Sequence, residues 1–198
     1  FNKTTGKRIS VMVPMHTFGH PCKMDQLLDL ADQWNITIVE DAAESLGSRI
    51  LNSHCGALGK LGILSFNGNK IITCGGGGAI ITNDESFADA CFSYHNCGRI
   101  RNGEWYNHHR LGSNFRMSAF NAAILIPQLD SLAAQMELRD KNRNILDIFL
   151  DKIDGLRPMA MSAGATRSAN HLYICKYDES KFDGISREIF FKAMQAEG

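Results

Sequence analysis

The chain of 198 residues has only four prolines and two tryptophans, and it carries no net charge. Its 21 Lys and Arg residues balance 21 Asp and Glu residues. That balance argues against the basic surface of a nucleic-acid binder and against an acidic solvating tail. No apolar run approaches the roughly 20 residues a membrane helix requires. The six cysteines form no CxxC pair, and their irregular spacing does not suit a zinc site or a small disulfide scaffold. Cys91, His95 and Cys97 come nearest to a ligand pattern and are read as ordinary side chains, so no metal is expected. What is present is a composition 44% hydrophobic and 9% aromatic, ordinary for a packed domain and too apolar for disorder. The expectation is a cytoplasmic protein with neither nucleic-acid nor membrane partners. The chain starts at Phe1 and a helical pattern still runs near Gly198. Both ends are therefore expected to be cuts in a longer protein.

Val11–Met15 reads as a buried strand ending near His16, followed by a turn over 17–21. Apolar residues at 24, 27, 28, 30, 31 and 34 predict a helix over 24–35. The β-branched run Ile36–Asp41 predicts a second buried strand, and strand, helix, strand in this order implies a right-handed parallel crossover. Strands are also expected at 63–66, 79–82 and 171–177, with a glycine corner at 74–78. A short helix is expected over 86–94, capped by Asp84 or Asn83. Residues 96–113 read as a long irregular loop. A long helix is expected from a Ser118 cap to about residue 153, kinked at Pro127 and ended by Gly155 and Pro158. A last amphipathic helix covers 186–197.

Asp41 stands at the carboxyl end of a predicted buried strand, where open α/β sheets place their ligands. A carboxylate there needs a cation to face. Lys70, in Ser65-Phe-Asn-Gly-Asn-Lys70, lies between an apolar strand and the glycine corner. A lysine desolvated on such a turn becomes a nucleophile. Pyridoxal phosphate chemistry needs this pair, an amine for the Schiff base and an acid for the pyridinium nitrogen, with a hydroxyl such as that of Ser65 for the phosphate.

Val39-Glu-Asp-Ala-Ala-Glu-Ser-Leu-Gly47, the Ser65–Lys70 segment, Gly75-Gly-Gly-Gly-Ala79 and Gly112-Ser-Asn-Phe-Arg-Met117 together resemble the DegT/DnrJ/EryC1/StrS aminotransferases. His16-Thr-Phe-Gly19 is similar to that family's motif after the preceding strand. The resemblance implies an α/β fold, the fold-type-I pyridoxal phosphate architecture. Residues 1–135 would be the carboxyl-terminal portion of a major domain with a mixed, mostly parallel sheet flanked by helices. Residues 136–198 would be a connecting helix and the start of a small α+β domain. By position, Lys70 would form the internal aldimine, Asp41 would face the pyridinium nitrogen and Ser65 would hold the phosphate. Glu44 would lie at the ring where the family often has Gln. Asn114 would reach the phosphate in a neighbouring subunit, within a homodimer of shared sites. His16, Asn69 and Arg116 would contact substrate.

The activity so implied moves an amino group from glutamate or glutamine to a keto-sugar, nucleotide-linked in most of the family, or to a keto-cyclitol. The first half resembles surface-sugar enzymes and the second half resembles inosose and aminohydroxybenzoate members. Three alternatives stand beside it: a sugar dehydratase of the same fold, a regulatory relative without catalysis, and an inert fragment. The dehydratases carry a His where this chain has Lys70. The Trp105–His109 cluster reads as loop packing or a dimer contact, and His171 as a packed histidine.

Overall fold

Strand β1 (Val11–Met12) leads through a turn into helix α1 (Met24–Trp34), which returns as strand β2 (Thr37–Asp41) in a computed structural model describing residues 1–198. β1 and β2 pair in parallel, Val11 with Thr37, as the crossover predicts. β1 is shorter than expected because Pro14 has no N–H to give the ladder. Its carbonyl still accepts the Asp41 N–H at 2.9 Å, so the segment tracks β2 to its end. Of the six positions on the predicted apolar face of α1, Met24 and Ala31 are buried, whereas Leu30 and Trp34 stay exposed. The helix ends at Asn35, whose left-handed backbone suits a short amide side chain.

β2 pairs in parallel with β5 (Leu61–Ser65), which pairs antiparallel with β6 (Gly78–Ile81). The sheet order is β1-β2-β5-β6, so it is mixed, with three parallel strands and an antiparallel edge. Between β2 and β5 lies a small hairpin, β3 (Arg49–Ile50) and β4 (Ser53–His54), which the sequence pattern does not announce. Helix α2 (Glu85–His95) is capped by Asp84, whose carboxylate accepts the Ser86 and Phe87 amides. The loop 96–113 contains no helix or strand. An isolated bridge between Asn96 and Asn114 closes it.

Helix α3 (Ala119–Leu150) is capped by Ser118 and runs unbroken through Pro127. The expected boundary at 135/136 falls inside this helix. Beyond it, β7 (Leu156–Pro158) pairs with β9 (Cys175–Tyr177), so Pro158 belongs to a strand and not to a helix stop. The expected strand at 171–177 is reduced to β9, because residues 168–172 fold back to the first half of the chain. β8 (Ala165–Arg167) joins β3, and the His171 N–H donates to the Phe18 carbonyl at 3.1 Å. Helix α4 (Arg187–Glu197) closes the chain.

Two apolar clusters support the sheet. One joins Met24, Ala31, Ile38, Ala42, Ile50 and Cys55 beneath α1. The other joins Phe66, Ile71, Ile72 and Cys74 to Leu125 and Met136 of α3 and to Ala169. The second cluster lies directly under the segment that carries Lys70.

Candidate active site

β2 and β5 run parallel and in register, Asp41 opposite Ile63, so their carboxyl ends open at the same edge of the sheet. Asp41 ends β2, and Ser65 ends β5. Lys70 sits on the turn that follows, its N–H bonded to the Asn67 carbonyl at 3.0 Å. The adjacent Ile71 and Ile72 are buried and anchor that turn. One end of the sheet thus gathers an acid, a hydroxyl and an amine.

Glu44, three residues beyond Asp41, is the hub of the site. Its Oε1 lies 3.4 Å from Lys70 Nζ, and its Oε2 accepts the Phe18 N–H at 2.7 Å. His171 Nε2 approaches the same Oε1 at 3.8 Å. The Lys70 side chain is 14% exposed and that of Glu44 26%, so the pair opens to solvent on one side. Partial burial alone would raise the Glu44 carboxyl. The Phe18 amide and the Lys70 ammonium outweigh it and hold the group below the ordinary carboxylate value. Phe18 makes this contact from a left-handed backbone, φ 60°, uncommon for a bulky residue. Its carbonyl also accepts the His171 N–H, so this one left-handed residue joins Glu44 to the returning 168–172 segment. The imidazole of His171 has its pKa lowered, chiefly by burial and further by Lys70 and Arg139, against the pull of Glu44.

Other expected residues sit elsewhere. His16 is fully buried, its Nε2 3.0 Å from Glu40 Oε2 and its Nδ1 accepting the Cys22 N–H at 3.0 Å. Both ring nitrogens are engaged beneath the surface, so the expected substrate contact by His16 is corrected to a structural pair. Asn69 is exposed and accepts an N–H from the Asn67 side chain at 3.3 Å. Asn114 accepts the Arg116 Nε–H at 2.8 Å, both on the exposed segment beyond the 96–113 loop. No hydrogen bond joins either of them to Lys70, Glu44 or Asp41 within this chain.

Asp41 spends one carboxylate oxygen on the Ala43 N–H at 3.1 Å. Its other oxygen makes no hydrogen bond within the chain. Ser65 Oγ only accepts the Asn67 N–H, at 3.4 Å, and keeps its own proton to donate. An amine, an acid with a free oxygen and a free hydroxyl form a donor set that fits pyridoxal phosphate.

A family model for the "DegT/DnrJ/EryC1/StrS aminotransferase family" matches residues 2–198. The chain belongs to that family. It is 35% identical over 154 residues to the GDP-perosamine synthase of Escherichia coli O157:H7, covering 78% of this chain and 41% of that one. It is 30% identical over 200 residues to the L-glutamine:2-deoxy-scyllo-inosose aminotransferase of Streptomyces paromomycinus, covering 96% and 47%. The fold is similar to the crystal structure of a DegT/DnrJ/EryC1/StrS aminotransferase from Brucella abortus, with a TM-score of 0.85 and 31% identity over 96% of this chain and 48% of that one. The chain therefore spans less than half the length of these relatives. Its sheet and flanking helices are part of the fold-type-I architecture of that family.

His171 is packed, as the sequence pattern suggests, but that pattern does not place it beside Glu44. Nothing local to it signals a site, since its place beside Glu44 depends on the chain closing over the Phe18–Gly19 turn from far away in sequence.

Proposed function

We propose that the complete protein is a pyridoxal phosphate-dependent aminotransferase acting on a keto-sugar, nucleotide-linked or not, or on a keto-cyclitol, with glutamate or glutamine as donor. The single observation that carries this reading is the meeting of Lys70 with Glu44 at the sheet edge where Asp41 and Ser65 also end. Family membership and the names of the relatives supply the reaction class.

Bound in such a site, the cofactor serves as an electron sink and carries the amino group between the two substrates. Lys70 would provide the amine that holds it and the base that carries a proton between the two carbons flanking the transferred nitrogen. Asp41, with one oxygen free of hydrogen bonds within the chain, would be the acid that keeps the ring nitrogen protonated. Ser65 donates its hydroxyl to the phosphate. Glu44 accepts from Lys70 and from Phe18, and so holds the lysine in the cleft between turnovers. Asn69 and Arg116 are proposed to meet substrate.

Asn114 is proposed to complete the phosphate site of a partner subunit in a homodimer. Phe115 and Phe120, close to it in sequence, stand 74% and 83% exposed, and Leu111 stands 93% exposed. An apolar band of that kind around a polar residue suits a subunit contact. No helix of the chain is long and apolar enough to cross a membrane.

The dehydratase alternative is disfavoured by Lys70 itself. In the full-length protein Lys70→Ala should abolish transamination of a keto-sugar nucleotide and of a keto-cyclitol, with either donor. Retained turnover in that variant would refute the reading. Which acceptor and which donor the wild type consumes decides the substrate class.

A further inference from the structure

We propose that Gln128 of α3 is a positioning residue for Lys70. The inference rests on the reading of Lys70 as the cofactor lysine, and its geometry is independent of that reading. Gln128 Nε2 donates to the Thr73 carbonyl at 2.7 Å, and Gln128 Oε1 accepts the Thr73 N–H at 3.0 Å. The same Nε2 donates to the Ile124 carbonyl of its own helix at 2.8 Å. Both amide hydrogens and one acceptor site are in use. The network also fixes which way the amide faces. Turned over, its NH2 would confront the Thr73 N–H and its oxygen would confront two carbonyls.

The two bonds to Thr73 hold that residue's main chain as a neighbouring β-strand would, although Thr73 lies in no strand. Thr73 is three residues from Lys70, and the residues between them, Ile71 and Ile72, are 8% and 1% exposed. The flanks are fixed as well. The Lys70 N–H bonds Asn67, the Cys74 N–H bonds Phe66 at 3.1 Å, and Asn121 of α3 bonds the Gly76 carbonyl at 3.0 Å. A shift at Thr73 therefore passes to Lys70 through two packed side chains and is not absorbed on the way. A displacement of about 1 Å at a reacting group is enough to cost on the order of a hundredfold in rate.

Gln128→Glu keeps the shape and the acceptor but sets an oxygen against the Thr73 and Ile124 carbonyls. Gln128→Met keeps the volume and has no polar donor. Gln135→Glu is the control, since Gln135 bonds only Ser131 of the same helix, at 2.9 Å. In the full-length protein, two quantities are measured across pH. One is the rate of Lys70 modification by an amine-reactive ester, located by peptide mapping. The other is the midpoint of the lysine-dependent visible band formed with pyridoxal phosphate. Both should move in Gln128→Glu and Gln128→Met and stay at wild-type values in Gln135→Glu. Gln128→Glu should also recover toward wild type at acid pH, where its carboxyl regains a proton to donate. Gln128→Met should show no such recovery. Unchanged modification and an unchanged midpoint in the variants that fold would overturn the proposal. So would a Thr73 amide that exchanges its hydrogen as fast as exposed loop amides in the wild type. If the wild type forms no visible band, the functional reading fails, and the modification profile of Lys70 still decides the role of Gln128.

Discussion

Glu40 and Asp41 are adjacent on β2, and the pleat sends them to opposite faces. Asp41 faces the site with one oxygen free. Glu40 is fully buried and accepts four hydrogen bonds, from His16, Gly56, Leu58 and Gly59, at 2.6–3.0 Å. Burial alone would raise its carboxyl, but His16 and the three amides outweigh that and hold it below the ordinary 4.5. A carboxyl with a depressed folded value contributes stability above its unfolded value and loses it as pH falls through the folded one. The unfolding temperature should thus drop on acidification below 4.5, and Glu40→Gln should show a shallower drop. At neutral pH, Glu40→Gln should cost about 3–5 kcal/mol in a denaturant melt, because an amide cannot accept from four donors in this pocket. A loss under about 1 kcal/mol would contradict the account of the pair. Asp41 was legible as a candidate from its place at a strand end. The separation of His16 from the site was not, because an isolated histidine carries no sign of which face of the sheet it will join.

Among the elements, α3 does most to assemble the site. Its amino end is held by Ser118, whose hydroxyl accepts the Asn121 N–H at 3.1 Å. Ser118→Ala should cost about 1 kcal/mol in thermal or denaturant unfolding. Further along, Arg139 donates to the Asn170 carbonyl at 3.0 Å and Asp140 pairs with Arg167, which together hold the segment before His171. Met136 packs so closely on Gly47 that a Cβ there would lie 2.7 Å from its sulfur, and Gly47 has φ +91°. Gly47→Ala should therefore lower stability by about 1–3 kcal/mol, read as a shift in denaturant midpoint. A neutral substitution would show that this contact is loose. The helix and its Ser118 cap were legible in the sequence, since a cap residue followed by a long apolar period is a local signal, whereas its end at Asp151, ahead of Gly155 and Pro158, was not. The tie between Gln128 and Thr73 was not, because the helical period marks Gln128 only as polar. The short strands β3, β4 and β8 were likewise hidden, each being two or three residues long, with β3 pairing to β8 across distant parts of the chain.

At the scale of the whole molecule, the parallel sheet with its strand-end acid and lysine turn could be read from the motifs. The closure of residues 165–172 onto the first half could not, since it depends on contacts with β3 and Phe18 that no local pattern records. The proposed homodimer makes its own prediction. Lys70→Ala and Asn114→Ala should each be inactive alone, and refolding them together should restore about a quarter of wild-type activity, through hybrids that hold one intact site. No recovery on mixing would place Asn114 in the same subunit's site or outside any site.

The central claim is that Lys70 is the amine that takes the cofactor. The direct measurement is to add pyridoxal phosphate to the full-length protein, reduce with borohydride and map the modified peptide. The account predicts a visible band before reduction, and a pyridoxyl group on Lys70 alone after it, both lost in Lys70→Ala. A label on another lysine, or none at all, would contradict it.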